Sequence, residues 1–160
     1  MSSDFYTSKI LPYAGIIIKI CRAYTDSEED FEDNYQEVCL QIWRSKESFK
    51  GNSDWSTWVY RLSLNVCLTI LRKQKKLPPT EVLSTDATTT NNAFENETLS
   101  MLYAAIKKLS EVDRAVVLLH LEEQSYSEIA EIIGTNANNI GVRIKRIKER
   151  LKKILDGKLN

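Results

Sequence analysis

Residues 77–94 read LPPTEVLSTDATTTNNAF, and nothing else in the chain limits its fold so sharply. Pro78 and Pro79 lack the amide hydrogens that a helix interior uses, and the threonine-rich remainder has no apolar period, so a flexible linker is expected. It leaves an N-terminal unit, 1–76, and a C-terminal unit, 97–160, with 77–96 between them. Each unit is near the lower size limit for a self-standing hydrophobic core.

Both units carry helical periodicity, and no Asn-Gly or Asp-Gly turn joins two alternating apolar runs. Helices are expected over most of 5–23 and over about 28–46 and 54–75, then over about 97–108, 111–122, 126–133 and 137–155. Ser110 three residues before Asp113 and Ser125 three before Glu128 are capping-box patterns, and Gly134 stands where a left-handed helix end is wanted. The expected fold class is all-α, with two small helical domains joined by a linker.

A content of 42% hydrophobic and 28% charged residues excludes collagen, disulfide scaffolds and full disorder. Lys+Arg and Asp+Glu are equal at 22 each. That balance argues against nucleic-acid binding only if the charges are mixed, and they are not. Residues 26–37 hold seven acids and no base, whereas 61–76 hold five bases and no acid. Further on, 95–131 hold eight acids against three bases, and 143–158 hold eight bases against two acids. Alternating blocks of this kind point to partners of opposite charge.

Cys21, Cys39 and Cys67 are far apart in apolar stretches, with one histidine in the whole chain, so buried reduced thiols are expected rather than a metal site. The longest apolar run, 10–18, is interrupted by Pro12 and Gly15 and is about half the roughly 18 residues of a membrane span. No basic start or small-residue cleavage site precedes it. A cytoplasmic protein with no membrane partner is expected.

In the C-terminal unit a short helix ends at Gly134, Thr135 and Asn136 follow, and a basic helix begins. That spacing is a helix-turn-helix, whose second helix enters the major groove of DNA. Ile140, Ile144, Ile147, Leu151, Ile154 and Leu155 fall in one arc and should form the buried seam. Outside it lie Asn138, Asn139, Val142, Arg143, Lys145 and Arg146. Amides suit adenine, arginine suits guanine, and an outward Val142 can touch a thymine methyl. His120, mid-helix and without a nearby acid pattern, reads as structural, and no catalytic residues or cofactor are expected.

In the N-terminal unit Thr57, Arg61, Asn65, Thr69, Arg72 and Lys76 recur on one polar face of the third helix. Trp58 falls within that face, where it either stacks on a base or covers a neighbouring helix. The preceding loop, Phe49-Lys50-Gly51-Asn52-Ser53-Asp54, either receives a flipped base or is a turn ending in a helix cap. The acid run on the second helix is either a solvated face or, since it exceeds what the helix dipole needs, a docking surface for a basic partner, the reading preferred here.

These residues resemble a known family. Asp30-Phe31-Glu32-Asp33-Asn34-Tyr35-Gln36-Glu37-Val38, Trp43 and the run from Phe49 to Asn65 are similar to the second conserved region of bacterial sigma-70-type factors in their extracytoplasmic function (ECF) form. Leu109-Ser110-Glu111-Val112-Asp113-Arg114, the run from Tyr126 to Gly134, and Ile140-Gly141-Val142-Arg143-Ile144-Lys145-Arg146 resemble the fourth region.

The resemblance implies a promoter-specificity subunit without catalytic chemistry, bound to core RNA polymerase and promoter DNA, and it allows an anti-sigma factor as a further partner. It assigns polymerase docking to Asp30, Glu32, Asp33, Gln36 and Glu37. Capture of the unpaired minus-ten strand goes to Phe49, Lys50, Asn52, Ser53, Asp54 and Asn65, with Trp58 at the upstream edge and Arg61, Arg72 and Lys73 on phosphates or duplex. Minus-thirty-five readout goes to Asn138, Asn139, Val142, Arg143 and Arg146, with Lys145 beside them. Gly141 replaces a lysine frequent in the family, Asn138-Asn139 replace small residues, and Asn52 replaces an aspartate. The rival expectation is a stand-alone helix-turn-helix regulator with an N-terminal sensing or dimerising domain.

Overall fold

The computed structural model describes residues 2–76 and 97–157. The expected linker, 77–96, lies outside the described residues. Those residues form two compact units, one on each side of it. Every regular element among the described residues is helical.

The N-terminal unit does not open with one continuous helix over 5–23. Ser3–Phe5 is a single helical turn, Tyr6–Ile10 is a π-turn in which the Leu11 amide reaches the Tyr6 carbonyl, and Leu11–Tyr13 is a 3-10 turn. The cause is Pro12, which has no amide hydrogen and whose ring crowds the carbonyl four residues earlier. Regular winding starts only with α1, Ala14–Ala23. The second helix, α2, spans Glu28–Ser45, with the Asp30 amide donating to the Ser27 hydroxyl at 3.0 Å. A 3-10 turn, Lys46–Ser48, follows it. The third, α3, spans Trp55–Lys76, and the Asp54 carbonyl accepts the Trp58 amide at 3.1 Å.

Helices α1, α2 and α3 all pack on one another. Ile10, Ile17, Ile20, Val38, Ile42, Val59 and Cys67 are fully buried in the core of this unit. Each such aliphatic side chain contributes about 1.5–3 kcal/mol by leaving water. The three cysteines are free and buried. Cys67 Sγ lies 3.8 Å from Cys21 Sγ and accepts the Asn34 amide at 3.7 Å. The hydrogen bond to Cys67, then burial, pushes the Cys21 thiol far up, and burial raises that of Cys39, so both are neutral near pH 7.

The C-terminal unit contains α4, Glu97–Ile106, α5, Glu111–Leu121, α6, Tyr126–Ile133, and α7, Ala137–Leu155. Helix α5 stops at Leu121 because Glu123 turns to φ +62°. Arg114 ties α4 to α5, its guanidinium donating to the Lys107 carbonyl at 2.9 Å and the Leu109 carbonyl at 3.5 Å. Helix α7 packs against α4, α5 and α6 through Ile140, Ile144, Ile147, Leu151 and Ile154, all buried. Leu155, expected in that seam, is 43% exposed. It stands at the edge of the apolar arc in the last turn of the helix.

Candidate polymerase and nucleic-acid interfaces

The turn between α6 and α7 is built from short-range hydrogen bonds. Ser125 and Glu128 close a full capping box, the Glu128 amide donating to the Ser125 hydroxyl at 3.0 Å and the Ser125 amide to the Glu128 carboxylate at 2.7 Å. Gly134 takes φ +94°, a conformation that glycine adopts at little cost, and its amide and that of Thr135 both reach the Ala130 carbonyl. The Asn136 side chain accepts the Asn139 amide at 2.9 Å and so caps α7.

These contacts present Asn138, Asn139, Val142, Lys145 and Arg146 to solvent on α7, with Val142 53% exposed. The Asn139 side chain is already oriented, its amide donating to the Thr135 hydroxyl at 3.0 Å. Arg143 differs from the residues around it. Its guanidinium is half-buried and paired with the Asp113 carboxylate on the first turn of α5, so it braces α7 against α5. Asp113 is therefore drawn away from the capping box expected at α5, where Ser110 alone caps by accepting the Asp113 amide at 3.2 Å. Gly141 has a packing reason: a Cβ there would meet the Tyr126 ring at 3.3 Å. The parts of Asp113, Thr135 and Tyr126 in this surface are not evident from sequence. Only the four-residue spacing of Thr135 and Asn139 carries a signal for such a contact.

On the N-terminal unit, α2 and α3 flank a groove of about 550 Å³. Asp30, Asp33 and Glu37 line one wall, and Asn65, Thr69 and Lys73 line the other. Glu37 accepts the Gln41 side-chain amide at 2.8 Å. Glu32 and Gln36 are exposed but do not line the groove. On α3, Asn65, Thr69, Arg72 and Lys73 are exposed and Arg61 is half-buried. Thr57, expected on this polar face, is instead 4% exposed, because the first turns of α3 are enclosed by the elements packed around them.

The loop at 49–54 is anchored by rings. Phe49 meets Trp55 edge-on at 5.1 Å between centroids and Trp58 at 5.7 Å, while Trp55 and Trp58 lie 4.9 Å apart. Trp58 is thus half-buried in an aromatic cluster, and its neighbours are Phe49 and Trp55. The cluster continues through Phe5, 6.3 Å from Trp55 and 5.1 Å from Trp43. Between the rings the chain reverses at Gly51, φ +78°, leaving Lys50, Asn52 and Asp54 exposed and Ser53 half-buried. The part of Phe5 and Trp55 in holding this loop carries no sequence signal, since their separation matches no helical or strand period.

Among the described residues no group of His, Cys, Asp and Glu is arranged to hold a metal ion, and no helix is long and apolar enough to cross a membrane. His120 is half-buried, its ring 6.2 Å from that of Tyr126.

Comparison with known proteins agrees with this two-part arrangement. Residues 10–77 match the Sigma-70 region 2 family, and residues 99–151 match Sigma-70, region 4. The chain is 32% identical over 140 residues to the ECF RNA polymerase sigma-E factor of Haemophilus influenzae, covering 78% of this chain and 74% of that protein. It is 30% identical over 169 residues to the ECF RNA polymerase sigma factor SigW of Bacillus subtilis, covering 95% and 89%. In fold it is similar to the sigma factor RpoE from Bartonella quintana, crystallised in complex with the anti-sigma factor NepR. The TM-score is 0.76 at 20% identity, over 97% of this chain and 98% of that one. Two conserved regions in this order, each on its own compact helical unit, place the chain in the ECF branch of the sigma-70 family of RNA polymerase sigma factors.

Proposed function

We propose that residues 1–76 dock on core polymerase and capture the minus-ten strand, and that residues 97–160 read the minus-thirty-five element. The observation that carries this division is the groove between α2 and α3, which sets Asp30, Asp33 and Glu37 opposite Asn65 and Lys73. An acidic wall suits a basic protein helix, and an exposed amide and ammonium suit a base and a phosphate. Glu32 and Gln36 extend the docking face beyond the groove. Phe49, Lys50, Asn52, Ser53 and Asp54 frame the base-capture loop, Trp58 borders it, and Arg61 and Arg72 add phosphate contacts.

On α7, Asn138, Asn139, Val142, Lys145 and Arg146 face the duplex. Arg143 holds α7 on α5 through Asp113 and reaches DNA only from that braced position. The protein works in the cytoplasm as a non-catalytic subunit without a cofactor. An anti-sigma factor is a further partner, by analogy with the RpoE–NepR complex.

Melting a promoter costs about 1.4 kcal/mol per stacked step. Two weak modules on one chain offset that cost through effective concentration once both are held on the polymerase. The chain plus core RNA polymerase is expected to start transcripts at a defined set of promoters, read by run-off transcription and sequencing of the products. Specific duplex binding without polymerase, and no discrete transcript with it, would instead fit the stand-alone regulator.

A further inference from the structure

Lys9 has no part in the roles above and lies one residue before the region 2 match begins. Its backbone is nevertheless tied to the start of α3. The Trp55 indole N–H donates to the Lys9 carbonyl at 2.8 Å, a contact across 46 residues of sequence. Lys9 lies within the π-turn of the lead-in. Trp55 is the first residue of α3, and its ring meets that of Phe49, so the two ends of the 49–54 loop come together where Lys9 is attached.

The Lys9 side chain is exposed, with its ammonium 5.5 Å from the centroid of the Trp55 ring. No carboxylate pairs with it among the described residues. A ring face steadies a cation without cancelling its charge. The loop itself has one base, Lys50, and one acid, Asp54, and so carries no net charge. Single-strand sites combine places for bases with cations that follow the backbone. Lys50 is the loop's own exposed cation, and Lys9 beside the Trp55 ring puts a second one at its edge.

We propose that Lys9 is a further single-strand contact, supplying the cation for a phosphate next to the base held by the 49–54 loop. This rests on the loop being the strand-capture site. The lead-in is then part of the nucleic-acid surface, brought there by the Trp55–Lys9 hydrogen bond.

The test uses holoenzyme reconstituted from the full chain and core polymerase. The probe is a fork-junction DNA with its minus-ten non-template strand unpaired, taken from a promoter found by run-off sequencing. Affinity is measured from low to moderate salt for the wild type, Lys9→Ala and Lys9→Arg, beside a duplex carrying only the minus-thirty-five element. Loss of one single-strand phosphate contact should reduce the slope of log affinity against log salt by about 0.7. Lys9→Ala should show that reduction and bind the fork several-fold more weakly, Lys9→Arg should restore both, and the duplex should be unaffected. An unchanged slope in Lys9→Ala, or equal weakening on both probes, overturns the proposal while leaving the capture loop in place. A wild type that holds the fork no better than one with a scrambled strand overturns the loop assignment, and the Lys9 contact with it.

Discussion

The turn that leads into the exposed face of α7 is set by contacts that span five residues or fewer, from the Ser125–Glu128 box and the amides on the Ala130 carbonyl to the Asn136 cap and the Thr135–Asn139 hydrogen bond. The loop at 49–54 is set by rings and a backbone carbonyl from residues 5, 9 and 43 as well as 55 and 58. A duplex presents a regular groove to which one rigid helix is complementary. An unpaired strand has no fixed shape, and a site for it needs a pocket walled from several directions. The first kind of surface is built locally, whereas the second depends on the tertiary fold of its whole unit.

The sharpest way to break this contrast is to remove the ring on which the N-terminal cluster converges. Trp55→Ala eliminates contacts to Phe5, Phe49 and Trp58 and the donor to the Lys9 carbonyl. A loss of about 3 kcal/mol is expected, at the low end for a large aromatic because Trp55 is only half-buried. It should fall wholly on the N-terminal unit. Hydrogen exchange of α1 and α2 amides should accelerate while that of Ile140, Ile144 and Ile147 stays unchanged. Equal acceleration in both would mean that the units share one cooperative core.

The same contrast explains what is legible in the sequence. Helix starts at Ser110, Ser125 and Asn136, the stop at Gly134 and the seam from Ile140 to Ile154 follow from propensities and period, and the structure has them all. The acid block of α2 and the basic face of α3 are visible as charge. What the sequence does not disclose is tertiary. Thr57 looks like a surface residue by helical phase, and burial depends on elements whose placement no local pattern encodes. Pro12 signals a fault in the first helix, but not that a π-turn precedes it. Arg143 looks free to reach a base, because its partner Asp113 is 30 residues away.

That pair is a long-range tie on the α7 surface, beside the close approach of Gly141 to the Tyr126 ring, and it gives a second test. A double-mutant cycle on Arg143→Ala and Asp113→Ala should return a coupling of about 0.5–1 kcal/mol, modest because both side chains are partly in water. Unfolding of the C-terminal unit by denaturant, followed through its own backbone resonances, provides the four free energies. Coupling of this size makes Arg143 a brace between α5 and α7. Coupling near zero would return Arg143 to the surface as an independent candidate for DNA contact and leave the α7 face more local.

The smallest effect separates the units by pH. His120 is the single histidine of the chain, so only the C-terminal unit titrates through one. Burial first, and the Lys148 charge on α7 second, hold its pKa below the ordinary 6.5. The Tyr126 ring from α6 is its other close neighbour. The folded unit therefore favours neutral imidazole. Above pH 6.5 neither state binds the proton, and this contribution to stability is fully present. As pH falls through 6.5 the unfolded chain is protonated first, and stability declines until the folded value is passed. Between about pH 7.5 and 5.5 the C-terminal unit should weaken slightly, and His120→Gln should flatten that slope. The tryptophans at 43, 55 and 58 all lie in the N-terminal unit, so their fluorescence follows its unfolding alone and supplies the control. A slope that survives His120→Gln would assign the pH dependence to carboxylates common to both units.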